Sequence, residues 1–319
     1  MSLGLHLIED WRGLAPEWKG ASVALGNFDG VHRGHRQVIA QAALAAQALG
    51  APLGVISFEP HPRRYFERET EPFRLMTIAQ QARALAALGV DRFYVLPFDA
   101  QMAALSDEAF ARDVLAGDER GGLGARHVAA GFDISFGKGR SGDPDLLRAY
   151  GARFGFGVSI AQPVSDADGE KCSSSAIREA LRTGRPERAA ALMGRPFAIE
   201  SIVVHGDKIG RTIGFPTANM QMGDYVRPAV GIYAVRTRLA DGREIPGVGY
   251  VGRRPTVGGV DERLEVNLFD FDEDLYGQTL ETDFIAFLRG DETFDGLDAM
   301  KAQIALDCAR ARAVLMPEF

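Results

Sequence analysis

Cysteine is almost missing. The two present, Cys172 and Cys308, lie far apart and in no C-x-x-C arrangement, so neither a disulfide framework nor a cysteine zinc site is implied. Long apolar runs are missing as well. Nothing approaches the roughly 18 residues of a membrane span, and the opening MSLGLHLIEDWRG has no basic stretch leading into an apolar one. Together these absences predict a cytoplasmic protein. Positive charge is not in excess either: 36 Lys and Arg against 43 Asp and Glu leave a formal net charge of −7, which argues against nucleic-acid binding by bulk electrostatics. The arginines of HRGHR and HPRR cluster only locally, a pattern that suits a small phosphorylated ligand.

What is present is ordinary for a globular protein, 46% hydrophobic and 25% charged over 319 residues, a length comfortable for two cores. In the first half apolar runs alternate with helical patterns. A helix from Arg36 to Leu49 is followed by the strand PLGVISF, the helix TIAQQARALAALG, the strand VDRFYVLPF, the helix SDEAFARDVLAG with Ser106 or Asp107 at its cap, the helix DPDLLRAYGARFG and the strand GVSIAQPV. This alternation predicts right-handed crossovers and a parallel sheet covered on both faces, with ligands beyond the carboxyl ends of its strands. TGRPERAAALMGRP, from Thr183 to Pro196, reads as a connection. Beyond it the period becomes alternating. FAIESIVVHGD, VGIYAVRTRLA, REIPGVGYVG, LEVNLFDF and LETDFIAFL read as strands, Asp241 and Gly242 as a hairpin turn, and Leu297 to Leu315 as a closing helix; the sum predicts a small antiparallel barrel.

The stretch around which the first half is organised is VALGNFDGVHRGHR, residues 23 to 36. A strand breaks into a Gly- and Asp-rich turn and then enters a helix, so free backbone N–H groups and the positive end of the helix dipole favour an anion there. His32 and His35, three apart across the first helical turn, face one way and offer imidazole donors. Gly26, Gly30 and Gly34 permit tight bending and a close approach to a ligand.

Other strings carry weaker or different signals. His61 stands between prolines in FEPHP. Gly137 to Gly142 spell a literal G-x-G-x-x-G, but after a late strand, without the context of a dinucleotide fingerprint. EKCSSSAIREALRTG leads three serines into a helix, where hydroxyls ordinarily cap. GDKIGRTIGFPTAN, Gly206 to Asn219, suits phosphate wrapping by Gly206, Gly210 and Gly214 beside Lys208, and Thr217 and Asn219 supply oxygens for a hard cation such as Mg²⁺. It is no Walker loop. The acidic DFDEDLYG lacks the spacing of an EF-hand.

VALGNFDGVHRGHR resembles the GxFDGxHxGH signature of nucleotidylyltransferases, and the chain as a whole resembles the bacterial bifunctional riboflavin kinase/FAD synthetases. GFDISFGKGRSGD, SSSAIR, GFPTAN, VGYVGRRPTVGG and LEVNLFDFDEDLYG carry the likeness further. The resemblance implies a Rossmann-like nucleotidylyltransferase domain with a parallel sheet over residues 1–184, adenylylating FMN with ATP to FAD and pyrophosphate. It implies a small antiparallel β-barrel riboflavin kinase domain with a C-terminal helix over 185–319, phosphorylating riboflavin with ATP, and Mg²⁺ at each site.

The site roles follow from the same resemblance. Gly26, Phe28, Asp29, Gly30, Gly34, Ser173 and Ser174 bind ATP. His32, His35 and Arg178 hold its phosphates and stabilise charge as pyrophosphate leaves. His61, Asp133, Phe136 and Arg254 lie at flavin; Gly206, Lys208, Gly210 and Gly214 bind the second ATP, and Glu265 is the kinase base. Two residues depart from the pattern: Asn267 stands where the family usually has His, and Tyr250 where it usually has Asn. The alternatives left open are an adenylyltransferase alone, acting on this or another phosphate ester, and a flavin-binding carrier without kinase turnover.

Overall fold

The computed structural model describes residues 4–67, 71–117, 121–166, 169–206, 214–256 and 259–316. The chain divides into two compact units, Met1–Thr70 with Ile78–Cys172, and Glu71–Thr77 with Ser173–Phe319.

The first unit runs β1 (His6–Ile8), β2 (Ser22–Leu25), α1 (Arg33–Leu49), β3 (Leu53–Glu59), α2 (Pro62–Phe66), α3 (Ile78–Ala86), β4 (Arg92–Pro97), α4 (Ala100–Ala104), α5 (Asp107–Ala109), β5 (His127–Gly131), α6 (Pro144–Phe154) and β6 (Gly157–Ala161). A π-helical segment, Phe110–Ala116, continues α5. Its six strands form one parallel sheet in the order β1-β4-β3-β2-β5-β6, as the alternating pattern predicts. All four residues of β2 are buried, which is why it reads as a continuous apolar run rather than an alternating one. α1 buries Val38, Ile39, Ala42 and Ala46, a helical stripe, and stops at Gly50 in the left-handed region.

The strand order locates the site before any side chain is considered. From β2 the chain moves to β3 on one side, and later returns to place β5 on the other. The crevice of such a switch opens at the carboxyl end of β2, where the glycine-rich turn lies. Beneath it, Val23, Leu25, Ile56, Tyr94, Phe110 and Phe136 belong to one buried cluster.

The second unit contains α7 (Ser174–Arg182), α8 (Pro186–Met193), β7 (Phe197–Val204), β8 (Ala218–Gln221), β9 (Gly231–Arg238), β10 (Glu244–Thr256), β11 (Gly259–Leu268), β12 (Thr279–Arg289) and α9 (Leu297–Leu315). The strands close into an antiparallel barrel, β10-β11-β8-β7-β12-β9, with β9 pairing back to β10. Phe197, Tyr233, Leu264, Leu280 and Phe284 fill it. Two hydroxyls inside, on Thr237 and Thr282, satisfy each other at 3.0 Å. α9 lays Ala311 and Leu315 against Ala234, Val248 and Phe269. Its other anchor is ionic: Arg289 meets Asp307 at 2.8 Å, and Asp307 is 2% exposed.

Several elements differ from the sequence reading. β1 and β8 were not expected, being three and four residues long, too short to show a period. α2 forms in PRRYF, where a loop was expected. α1 begins at Arg33 instead of Arg36, because His32 supplies the cap. The compact units divide at Cys172/Ser173, ahead of the 184/185 division expected for the functional domains. α7 is held within the second unit, where Ala229 donates its N–H to Leu181 at 2.9 Å.

Candidate active sites

The first site grows from the end of β2. Within the turn that follows, Phe28 (φ 50°), Gly30 (φ 91°) and Val31 (φ 39°) adopt the left-handed region. For a bulky and a β-branched residue this is costly, on the order of 1–3 kcal/mol each. Burial offsets the cost: Phe28 and Val31 are almost wholly enclosed, Val31 donates its N–H to Phe28 O at 2.9 Å, and Ser57 Oγ donates to Asn27 O at 2.9 Å. Asp29 is buried within the same turn.

The turn delivers His32 to the N-cap of α1. Its Nδ1 accepts the N–H of His35 at 3.2 Å, so the neutral ring carries its proton on Nε2. The His32 and His35 rings stack at 3.6 Å with 19° between planes. Phe28 lies 5.0 Å from the His35 ring. No acid occupies the first turn of α1, which leaves its dipole to an external anion. Gly34 sits in a tight place, since a Cβ there would stand 3.0 Å from Cys172 O and 3.1 Å from the His32 ring. Two polar atoms deepen the site: Asn27 Oδ1 and Arg36 Nε are buried and make no hydrogen bond with the described residues. Arg36 follows His32 by one helical turn and shares its face.

The literal G-x-G-x-x-G behaves differently. The helix after it, α6, is capped by Asp143, whose carboxylate already accepts from Asp145 and Leu146 at 2.9 and 2.8 Å. A carboxylate seated there repels a phosphate. Nearby, Asp133 pairs with Lys171 at 2.6 Å, and Phe136 is buried with its ring centroid 5.7 Å from that of Phe110. His61 caps α2, its Nδ1 accepting from Arg63 N–H at 3.1 Å. In the second unit Ser173 caps α7, accepting from Ala176 at 3.2 Å. Arg178 there donates from Nε to Phe73 O at 2.6 Å and spreads over the Phe73 ring.

The second site is a row across three strands. Asn219 on β8 stands directly opposite Glu265 on β11, and Glu265 directly opposite Tyr250 on β10. Directly opposed residues share a face of the sheet. Asn219 is buried, while Glu265 and Tyr250 are half-buried. A Cβ on Gly206 would come within 2.5 Å of the Asn219 amide, so any larger residue there would have to displace that amide. Gly214 has φ 88°. Pro216, Thr217 and Ala218 line a cavity of about 430 Å³ closed by Phe271, Asp272 and Tyr276. Within the acidic stretch, Glu273 is bound by Arg243 at 2.6 and 2.8 Å and Asp274 accepts from Tyr276 N–H at 3.0 Å, so these charges shape a turn. The expected roles of Lys208 and Gly210 lie outside the described residues. For Arg254 only its place on β10 is described.

Residues 14–176 match the family model for FAD synthetase, and residues 193–315 that for riboflavin kinase. A bifunctional riboflavin kinase/FMN adenylyltransferase from Pseudomonas fluorescens is 41% identical over 98% of this chain and 99% of its own. The enzyme of that name from Escherichia coli (strain K12) is 40% identical over 97% and 96%. The chain belongs to the bifunctional riboflavin kinase/FMN adenylyltransferase family.

A Bacillus subtilis member of this family is 35% identical over 95% of both chains. A solved Streptococcus pneumoniae structure described as a macrolide-efflux protein superposes with a TM-score of 0.83 at 31% identity, over 98% of this chain and 99% of that one. No helix among the described residues is long and apolar enough to cross a membrane.

The residues that sequence reasoning passed over in this member of the family are Asn27 and Arg36. Both lie inside the quoted motif, yet only burial without a partner distinguishes them. An ATP-dependent family implies a divalent cation. Thr217 and Asn219 offer hard, neutral oxygens, and no cluster of three His, Cys, Asp or Glu suited to a metal occurs among the described residues. Such a donor pair fits a cation that arrives with ATP, the phosphates supplying the negative charge.

Proposed function

We propose that the glycine-rich turn and α1 carry AMP transfer from ATP to FMN, and that the barrel carries phosphate transfer from ATP to riboflavin. The division between these functions lies at 184/185, in the interval between the two family matches. The observation that carries the reading is the contrast in ionisable groups: an acid-free helix start with two stacked imidazoles in one unit, and a carboxylate in register with Asn219 in the other.

In adenylylation a phosphate oxygen of FMN attacks the α-phosphorus of ATP, and the bond to the bridging oxygen of pyrophosphate breaks. That nucleophile is already anionic at neutral pH and needs no base. The demand falls on the leaving group, whose growing charge His32, His35 and the N–H groups of the turn receive. Gly26, Phe28, Asp29, Gly30 and Gly34 shape the ATP cradle, and Arg36 adds a donor one turn deeper. His61, Asp133, Phe136 and Arg254 are assigned to flavin, and Ser173, Ser174 and Arg178 to phosphate, on the strength of the motifs.

In the kinase step the riboflavin 5′-hydroxyl attacks the γ-phosphorus, ADP leaves, and the hydroxyl proton must go to a base. Glu265 is assigned that role. Gly206 and Gly214 border the nucleotide. Mg²⁺, held through Thr217 and Asn219, would neutralise phosphate charge and keep donor and acceptor in line. The cytoplasm supplies ATP and Mg²⁺ together, and a chain with two free cysteines suits its reducing conditions.

The test is to incubate the purified protein with ATP and Mg²⁺, once with riboflavin and once with FMN, and to separate the flavins by chromatography. FMN and then FAD from riboflavin, and FAD from FMN, are expected. FAD from FMN with nothing made from riboflavin would remove the kinase half of the reading.

A further inference from the structure

The two departures from the motif pattern, Tyr250 and Asn267, lie on one face of the barrel wall. On β11, Glu265 and Asn267 are two residues apart; opposite them on β10 stand Tyr250 and Val248. Because side chains two apart share a face, all four flank the same patch, with Val248 at the margin covered by α9. Neither departure is idle. Asn267 donates from Nδ2 to Pro216 O at 2.7 Å, gripping the limb that carries Thr217 and Asn219. Tyr250 donates its hydroxyl to Asp291 Oδ2 at 3.1 Å, gripping the segment between β12 and α9.

The surroundings fix the Tyr250 grip. The Tyr250 ring lies over Gly252, where any Cβ would collide with it. At the base of the Asp291 segment, Arg289 is locked to Asp307 and donates to Gly290 O at 2.9 Å. Asp291, Glu265 and Arg289 are the charged groups facing Tyr250. Its burial and the two carboxylates push its hydroxyl up to about 12, so it remains a neutral donor throughout the working range.

The order across the sheet is then cation limb on β8, carboxylate on β11, Tyr250 on β10, with neighbouring strands roughly 4.8 Å apart. A phosphate donor seated over β8 leaves the β10 side for the alcohol acceptor. We propose that Asn267 and Tyr250 are positioning residues that seat the two kinase substrates on opposite sides of Glu265: Asn267 sets the Pro216–Asn219 limb for ATP, and Tyr250, through Asp291, sets the rim for riboflavin. This rests on the reading of Glu265 as the base.

Two measurements test it on the full chain: steady-state FMN formation, and riboflavin binding followed by flavin fluorescence. Tyr250→Phe raises KM and Kd for riboflavin about five- to tenfold and leaves KM for ATP unchanged; Asn267→Ala does the reverse, the size expected from one hydrogen bond. Asp291→Ala matches Tyr250→Phe, the double variant is no worse than either, and Asp291→Asn, which keeps an acceptor, restores binding. The second unit's own melting transition, measured on the same preparations, reports that each variant is folded. Unchanged constants in Tyr250→Phe, both KM values moving together, or additive losses in the double variant overturn the proposal. Normal turnover by Glu265→Gln overturns the base assignment instead, and the fluorescence measurement, made in that variant as well, tells the two failures apart.

Discussion

On the proposed assignment the turn before α1 and the row Asn219–Glu265–Tyr250 both handle ATP, yet they share almost no chemistry. The first relies on backbone N–H groups, a helix dipole without acids in its first turn, and two imidazoles, with strained residues held by burial. The second sets a carboxylate on a strand between neutral side chains. The protonation state of the nucleophile accounts for the difference. A phosphate monoester arrives as an anion, so its site must manage the charge that leaves; an alcohol arrives protonated, so its site must take a proton.

Removing the carboxylate is the sharpest way to break this comparison. Glu265→Gln should lower FMN formation by about 10²–10⁴-fold and leave FAD formation from FMN intact, read by chromatography of the two reactions. If both activities fell together, the sites would not be chemically independent. The converse change is His32→Asn, which keeps a good cap while deleting the imidazole. Adenylylation should drop about 10²–10³-fold with the kinase unaffected; full adenylylation in this variant would reduce His32 to a cap. His32→Ala should in addition cost about 1 kcal/mol of stability.

Two further changes separate stability from chemistry in the barrel. Asp307→Ala leaves the half-buried Arg289 with only Glu292, 3.8 Å away, as a carboxylate partner and should destabilise the second unit by ~1–3 kcal/mol, seen by thermal melting as a downward shift of its transition. Asp283 offers a smaller effect with a pH signature. Burial is the main cause that raises its carboxyl to about 6, with Glu281 and Glu244 adding to it and Arg238 opposing. The fold therefore favours the protonated form. Its contribution is intact below the ordinary carboxyl range and is lost as pH rises through about 6. Asp283→Asn should stabilise the unit by about 2 kcal/mol at pH 7.5, and the gain should vanish near pH 4, which melting at both values would check.

Much of this architecture was legible in the residues. The alternation of apolar runs and helices gave the parallel sheet, Ser106, one of two caps expected for its helix, holds that place, and α9 spans the stretch expected for it. The Gly-rich turn was visible as a phosphate-sized turn, but its strain was not, because positive φ at Phe28 and Val31 depends on the burial that enforces it. β8 escaped notice inside a string read for its glycines. The alignment of Tyr250, Glu265 and Asn219 was also hidden, since it depends on register between strands distant in sequence. Nor does sequence spacing reveal that Arg178 bonds to Phe73, 105 residues away.

Barrel closure also bears on aggregation. Among the described residues the strands of the second unit pair in a closed circuit, so the native barrel offers a foreign strand less to extend than an open sheet does. The open sheet of the first unit has two margins, β1 and β6. β1 is three residues long and β6 five, short templates for cross-chain pairing. Conditions that open the barrel, such as loss of the Arg289–Asp307 lock, should therefore be more prone to produce aggregates than anything that disturbs the first sheet's borders.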